Sequence, residues 1–286
     1  VLLIIDSNYL CHYCAYSSRS LTYGGQATGV IFSFLKQVLS LAKRFKTDRF
    51  AFAWDSRKSI RRISYPAYKQ NRVDHQKSLE EREVEAIERQ QFQELRTKVL
   101  PAIGFHNQLF QVGIEADDII ASVAYNESFE QVVIVGADND LYQLLGSNTS
   151  MYKPRDKKLY EMKDFKEEWG IVPNQWPSVK SIAGCNGDNV KGVGGVGEKT
   201  AIRYLKGELK GDSKTVQAIQ NSSDMIDRNA ALVTLPLAGT KTFVLIVDGP
   251  FFLNDLLDVI ARYGLNSFRA PETLAVWKEC FNMRGR

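Results

Sequence analysis

The chain reads as an α/β protein with a mostly parallel central sheet flanked by helices, and three observations predict it. Apolar runs closed by an acid recur in the first half, as Val1-Leu-Leu-Ile-Ile-Asp6, Phe50-Ala-Phe-Ala-Trp-Asp55 and Val132-Val-Ile-Val-Gly-Ala-Asp138. Segments with helical spacing of apolar residues separate these runs, the alternation of a doubly wound sheet. Beyond about residue 163 the strand signal fades into Gly, Lys and short helical stretches, dividing the chain into an α/β core over 1–163 and a helical region over 164–286.

The elements follow in order. After the strand over 1–6 comes a helix carrying Cys11-His12-Tyr13-Cys14. That spacing resembles half a zinc site, but there is no second ligand pair, so small thiols packed inside a helix are the favoured reading. Residues 29–45 place Val30, Phe34, Leu35, Val38, Leu41 and Ala42 on one helical stripe and end in Lys43-Arg44-Phe45-Lys46. A strand spans 49–55. A helix over 78–99 starts at Ser78 with Glu81 three residues on, a capping box, and sets Val84, Ile87, Phe92, Leu95 and Val99 on one side. Its Glu81, Arg82, Glu85 and Arg89 form a solvated face. A helix over 119–125, a strand over 131–135 and a short helix over 141–145 follow, and residues 207–214 form a polar connector.

With 286 residues, 44% of them hydrophobic, the chain can bury one large core or two modest ones. No apolar run reaches the roughly 18 residues of a membrane span, and no basic n-region or cleavage pattern precedes the first strand. A cytoplasmic, nucleoid-associated monomer with no membrane partner is expected. The chain begins at Val1 rather than Met, so the numbering is free to start inside a longer natural protein. Four cysteines, Cys11, Cys14, Cys185 and Cys280, are too few for a secreted disulfide framework at this length, and reduced thiols are expected.

Eight acids carry the chemistry: Asp6, Asp55, Glu115, Asp117, Asp118, Asp138, Asp140 and Asp188. Three of them close apolar strands, and strand carboxyl ends converge on the ligand crevice of an open α/β sheet. Clustered acids repel one another unless cations neutralise them, and hard oxygen donors suit Mg²⁺ or Mn²⁺. A single Asp at a strand end is more often a helix N-cap. Three coincidences favour metal for the set.

Residues 56–72 hold Arg57, Lys58, Arg61, Arg62, Lys69 and Arg72 with no acid, interleaved with Tyr65 and Tyr68. Such a stretch neutralises phosphates, and an aromatic face stacks on an unpaired base. The alternative is a solvated basic loop balancing the Glu-rich helix after it. The position beside Asp55 favours nucleic acid, with Arg61, Arg62 and Tyr68 as contacts. The segment Lys191-Gly192-Val193-Gly194-Gly195-Val196-Gly197-Glu198-Lys199-Thr200 contains G-x-G-x-x-G, but no strand precedes it, and Glu198 displaces the lysine that a phosphate-binding loop requires. A tight turn between two helices fits better. Glycines there let backbone N–H groups approach a DNA phosphate at the start of a helix over 199–205, with Lys191, Lys199, Arg203 and Lys206 supplying charge.

These motifs in this order resemble the 5′ nuclease family, which includes flap endonucleases, the 5′-to-3′ exonuclease domains of bacterial DNA polymerase I and stand-alone phage-type members. The resemblance rests on Ile-Ile-Asp6-Ser-Asn, Trp-Asp55, Tyr68-Lys69-Gln-Asn-Arg72, Gly113-Ile-Glu115-Ala-Asp117-Asp118, Gly136-Ala-Asp138-Asn-Asp140 and the run from Gly187-Asp188 to Ala201, and it thins beyond about residue 210. It implies hydrolysis of DNA at 5′ flaps and 5′ ends, with RNA-primed ends as a further substrate. Two divalent ions, Mg²⁺ or Mn²⁺, are implied. By the resemblance Asp6, Asp55, Glu115 and Asp117 would hold the first, with Asp118, Asp138, Asp140 and Asp188 completing the second side and its outer shell. Asp6 and Asp117 act in catalysis with Lys69 and Arg72, the basic pair at the base of a helical arch over about 56–98 that admits a single-stranded 5′ end. The resemblance also implies a helix–three-turn–helix over about 178–206 that grips duplex DNA through Lys191, Gly192, Gly194, Gly195, Gly197, Lys199, Thr200 and Arg203 and can hold K⁺ through backbone carbonyls.

One departure stands out. Polymerase-type members read Gly-Asp-x-x-Asp-Asn where this chain reads Gly184-Cys185-Asn-Gly-Asp188-Asn189, placing a thiol where a carboxylate serves the second metal. Either that position is weakened, or Asp188 and waters take over, or the correspondence is locally shifted. The alternative function is therefore a branched-DNA-binding protein of the same fold with weak or no nuclease activity.

Overall fold

Strand order decides where the acids meet. The computed structural model describes residues 1–18, 20–72, 78–126 and 129–285. Its central sheet has six strands, β1 (Leu2–Asp6), β2 (Phe50–Trp54), β3 (Gln108–Phe110), β4 (Val132–Val135), β5 (Thr149–Lys153) and β6 (Lys158–Tyr160), in the order β3-β2-β1-β4-β5-β6. Every pairing is parallel except β5 with β6. The chain leaves β1 toward β2 and β3, then crosses back to β4, so the order reverses between β1 and β4. In such a sheet the crevice opens at the carboxyl ends on either side of that reversal.

The apolar runs are continuous because both faces of the central strands are covered. Leu3, Ile5, Phe50, Phe52, Val133 and Val135 point into one core, and Leu2, Ile4, Ala51, Ala53, Val132 and Ile134 into the other. Helix α1 (Ser7–Ser18) and helix α2 (Gly29–Phe45) lie on the first face, with the whole expected stripe of α2 buried. Cys11 and Cys14 are packed inside this core, and burial raises both thiols, Cys14 to about 12.

Helix α3 (Leu79–Glu94) begins with the expected capping box: the Glu81 N–H donates to Ser78 Oγ at 3.1 Å and the Ser78 N–H to Glu81 Oε2 at 2.7 Å. Its extent and its buried side differ from expectation. Regular helix ends at Glu94 and a π-helical turn spans Leu95–Val99, while Ile87 is 48% exposed and Glu88, Gln91 and Phe92 are buried. The cause is polar. Gln91 Oε1 accepts the Val30 and Ile31 N–H groups, donors left free at the first turn of α2, and this anchor sets which side of α3 faces inward.

Helix α4 (Ala116–Asn126) and helix α5 (Trp176–Ala183) cover the other face, and helix α6 (Glu198–Leu205) packs beyond α5. Strands β3, β5 and β6 were not anticipated, since they are short or mixed in polarity. The C-terminal helices α7 (Leu253–Tyr263) and α8 (Pro271–Phe281) return to the α2 side, where Leu256, Ile260, Trp277 and Phe281 join its core. Before them an extended segment runs beside β3, held by Asn107, which exchanges hydrogen bonds of 2.9 Å with the Ile246 backbone in both directions. This blunts the sheet edge. Among the described residues no helix is long and apolar enough to cross a membrane.

Candidate active site

Four carboxylates gather at the reversal point. Asp6 closes β1 and accepts the Tyr9 N–H at 3.0 Å, fixing it at the start of α1. Asp55 follows β2; its Oδ1 accepts the Ala116 N–H at 2.7 Å, and its own N–H donates to Asn8 Oδ1 at 3.0 Å. Asp117 stands in the first turn of α4, and Asp138, just after β4, accepts the Asp140 N–H at 2.8 Å. These groups disfavour one another's charge. Burial, with Asp55 and Asp138 nearby, pushes Asp6 up to about 7. Asp117 is raised well above the usual carboxylate range by burial, then by Asp138 and Asp6, and burial also raises Asp55. Lys69 counters these shifts without cancelling them, and buried carboxylates of this kind suit a divalent ion such as Mg²⁺ or Mn²⁺.

A second group is already paired with cations. The Tyr68 hydroxyl lies 2.8 Å from Glu115 Oε2 and 3.0 Å from Asp188 Oδ2. Lys69 Nζ stands 2.9 Å from Glu115 Oε2 and 3.7 Å from Asp188 Oδ1, and Arg72 Nη2 is 2.7 Å from Asp188 Oδ1. The backbone fixes this docking: the Lys69 N–H donates to the Asp188 carbonyl at 2.8 Å, and Asn189 Nδ2 to the Ala67 carbonyl at 2.8 Å. Burial works against the Lys69 charge, but Glu115 and Asp188 outweigh it and raise its pKa. Burial likewise works against ionised Glu115, yet Lys69 and Arg61 hold it below its ordinary value.

Cys185 stands at the far end of this group. Its thiol donates to Asp140 Oδ2 at 3.5 Å, and single donor atoms of Asp140, Cys185 and Asp188 lie within 4.8 Å of one another. Burial and Asp140 push the thiol up to about 12, so it is a neutral S–H at ordinary pH. Asp140 Oδ1 is 3.6 Å from Lys180 Nζ. Burial, with Asp138 nearby, pushes Asp140 up to about 6 in spite of Lys180, and the neutral thiol is the member of this trio that a hard divalent ion does not favour.

Several expected site residues lie elsewhere. Asp118, placed among the metal ligands, is fully buried; the Arg61 guanidinium grips it bidentately, with Nη2 to Oδ1 at 2.8 Å, and it also accepts the Leu237 N–H at 2.8 Å. One residue along a helix turns the side chain by about 100°, so Asp117 and Asp118 cannot face the same crevice. Arg61, expected on DNA, is consumed by this pair and by the Leu232 carbonyl at 2.8 Å. Tyr68 is 3% exposed and offers no face to a base. Arg62 donates to the Tyr68 and Lys69 carbonyls at 3.0 and 3.2 Å, holding the backbone that carries Lys69.

The Gly-rich turn joins α5 to α6 through a small hairpin, Gly184–Cys185 with Val190–Lys191. Val193, Val196, Ala201 and Ile202 anchor it inward, while Lys191, Gly194, Gly195, Gly197, Lys199 and Arg203 are exposed and Thr200 half-buried. The helix starts at Glu198, one residue before its expected beginning. At Gly192 packing leaves no room for a side chain: a Cβ there would meet the Ala183 carbonyl at 2.2 Å.

Residues 1–170 match the family described as 5′-3′ exonuclease, N-terminal resolvase-like domain. The chain belongs to this family. It is 30% identical over 247 residues to DNA polymerase I of Mycobacterium tuberculosis, covering 81% of this chain and 26% of that protein. It is 27% identical over 240 residues to the 5′-3′ exonuclease of Buchnera aphidicola, covering 81% and 79%. The chain thus spans about a quarter of the polymerase relatives it matches. The T5 5′-exonuclease, solved with bound zinc, shares the fold with a TM-score of 0.71 at 22% identity, over 99% of this chain and 98% of that one.

In this 5′-3′ exonuclease-family chain, sequence reasoning missed Lys180, which is 8% exposed and lies 3.6 Å from both Asp140 and Glu198. A signal existed. Trp176, Val179 and Lys180 stand at i, i+3 and i+4 of α5, so the lysine interrupts a buried stripe and needs anionic partners. Asn8, which holds the Asp55 backbone, was likewise missed, and His12, weighed from sequence only as part of half a zinc site, stands edge-on to Phe92 beside the crevice.

Proposed function

We propose that the chain is a structure-dependent 5′ nuclease hydrolysing DNA phosphodiesters at 5′ flaps and 5′ ends, RNA-primed ends included. The observation that carries this is the set Asp6, Asp55, Asp117 and Asp138 at the sheet's reversal point, in which burial raises Asp6, Asp55 and Asp117 in spite of Lys69, next to a second set in which Lys69 and Arg72 are held ready on carboxylates. A hard divalent ion, Mg²⁺ or Mn²⁺, held by the first set would supply an activated water and positive charge at the scissile phosphate.

The protein's own residues supply position and charge. Lys69 and Arg72 can exchange Glu115 and Asp188 for phosphate oxygens, and because the backbone around them is fixed, little reorganisation is needed at the reacting centre. Duplex DNA is taken by the exposed side of the Gly-rich turn, where Lys191, Lys199 and Arg203 neutralise phosphates and the turn's carbonyls offer a place for K⁺. The single-stranded end enters an open groove of about 710 Å³ beside Asp55, whose lining includes His12, Arg57, Lys58, Arg89 and Arg96. In this reading residues 1–163 are the nuclease core and 164–286 the DNA-binding region with its helix–three-turn–helix over 178–206. An arch over 56–98 completes the core, and its stretch 73–77 falls outside the described residues. A monomer working at the nucleoid is the corresponding cellular form.

Cys185 and the paired state of Asp140 and Asp188 favour a second reading, a branched-DNA binder with little activity. A 5′-labelled flap substrate separates the two. Cleavage with Mg²⁺ or Mn²⁺ that EDTA abolishes is the expected result; retention of flap DNA without cleavage in either metal establishes the binder.

A further inference from the structure

Lys180 is a nearly buried charged side chain at the Cys185 end of the crevice. It projects from the inner face of α5, is 8% exposed, and holds its Nζ 3.6 Å from Asp140 Oδ1 and 3.6 Å from Glu198 Oε1, above the Trp176 ring at 5.8 Å. The other Asp140 oxygen accepts the Cys185 thiol at 3.5 Å, so both oxygens of that carboxylate are engaged. Asp188 differs. Its partners come from the 56–72 segment, and the Arg72 side chain is 56% exposed, free to follow an incoming phosphate.

Resting on the nuclease function above, we propose that the Lys180 ammonium fills the second cation position of this chain, so that the protein takes up one divalent ion where the family resemblance implies two. Two features work together. Cys185 contributes a thiol, donating to Asp140, where Asp140 and Asp188 are the two carboxylates of the group. Lys180 then supplies one positive charge at the same place, and a divalent ion added between Asp140 and Asp188 would meet that ammonium at short range. A hard cation there would have to share Asp140 with the Lys180 ammonium and would gain little from the thiol, for which it has small affinity. Glu198, the acid that spoils the Gly-rich loop as a nucleotide-binding motif, acquires a purpose: from the first turn of α6 it holds Lys180 in place and ties the DNA-gripping turn to the crevice.

The test is a count of ions. The metal-free protein titrated with Mn²⁺, with free Mn²⁺ followed by electron paramagnetic resonance and heat by calorimetry, should saturate at one ion per chain. Saturation at two overturns the proposal. The double variant Lys180→Met, Cys185→Asp should rise from one ion to two; if it melts as cooperatively as the parent and still binds one, Lys180 is not what fills the position. Should the variant fail to fold, the parent's count decides alone. The nuclease reading fails separately: a parent that binds one ion but leaves a 5′-labelled flap intact in both Mg²⁺ and Mn²⁺ sinks that reading and leaves the ion count standing.

Discussion

The guanidinium of Arg61 and the carboxylate of Asp118 form a bidentate pair in the interior, at 3% and 0% exposure, with Nη2 to Oδ1 at 2.8 Å. Arg61 also reaches the Leu232 carbonyl and Asp118 the Leu237 N–H, both at 2.8 Å, so one pair staples the basic segment, α4 and the 232–237 stretch together. Arg61→Ala leaves a buried carboxylate without its cation, a change that typically costs about 3–5 kcal/mol. Urea or thermal unfolding should show that loss. A variant as stable as the parent would mean that the pair does not hold the segment.

Asp117→Asn should abolish cleavage and at the same time stabilise the metal-free protein. An acid whose pKa is higher folded than unfolded keeps its proton longer in the folded state, so stability falls as pH rises from about 4 through the folded pKa. Asp6, at about 7, and the raised Asp117 and Asp55 place that fall between mildly acidic and neutral pH. In EDTA the melting temperature of the parent should drop from about pH 4 to about pH 7, and Asp117→Asn should flatten the drop. Saturating Mg²⁺ should reverse it, since about 100-fold excess over Kd adds about 2.7 kcal/mol.

Lys69 and Lys199 should separate chemistry from docking. Lys69 lies on Glu115 within the crevice, so Lys69→Ala should lower single-turnover cleavage far more than duplex affinity. Lys199 is exposed on the turn, so Lys199→Ala should weaken binding and lower the salt slope by about one unit, leaving cleavage of bound substrate near the parent rate. Equal losses of affinity alone in both variants would remove Lys69 from the reaction.

Two glycines two residues apart should behave oppositely. At Gly192 a Cβ would lie 2.2 Å from backbone atoms of Ala183, so Gly192→Ala should destabilise the turn by about 1–3 kcal/mol. At Gly194 nothing stands within 4 Å of a new Cβ, so Gly194→Ala should fold normally and lose duplex affinity, because a methyl keeps the phosphate from the backbone N–H groups. Filter binding with thermal melts reads both effects, and undiminished affinity in Gly194→Ala would place the DNA elsewhere.

Much of the architecture was legible because it depends on local pattern. Apolar runs ending in Asp6, Asp55 and before Asp138 located the strands of the reversal point, the stripe from Val30 to Ala42 located α2 to the residue, and Ser78 with Glu81 located the start of α3. The glycines and valines of 192–197 marked the turn. Each of these signals is complete within a few residues of chain, where periodicity and capping chemistry act.

The division of labour among like residues was settled only by folding. Asp117 faces the crevice and Asp118 the interior; Arg61 is buried while Arg62 braces the backbone; Tyr68 bridges Glu115 and Asp188 and stacks on no base; Lys180 fills the place beside Cys185. Spacing names the acid and the base, but their pairing joins residues 57 apart for Arg61 with Asp118 and 120 apart for Tyr68 with Asp188. A buried charge takes the partner that packing brings within hydrogen-bond reach, because leaving it alone in a low dielectric costs several kcal/mol. That choice is made by the sheet order and by the approach of α5 to the crevice, and no local stretch of sequence contains it.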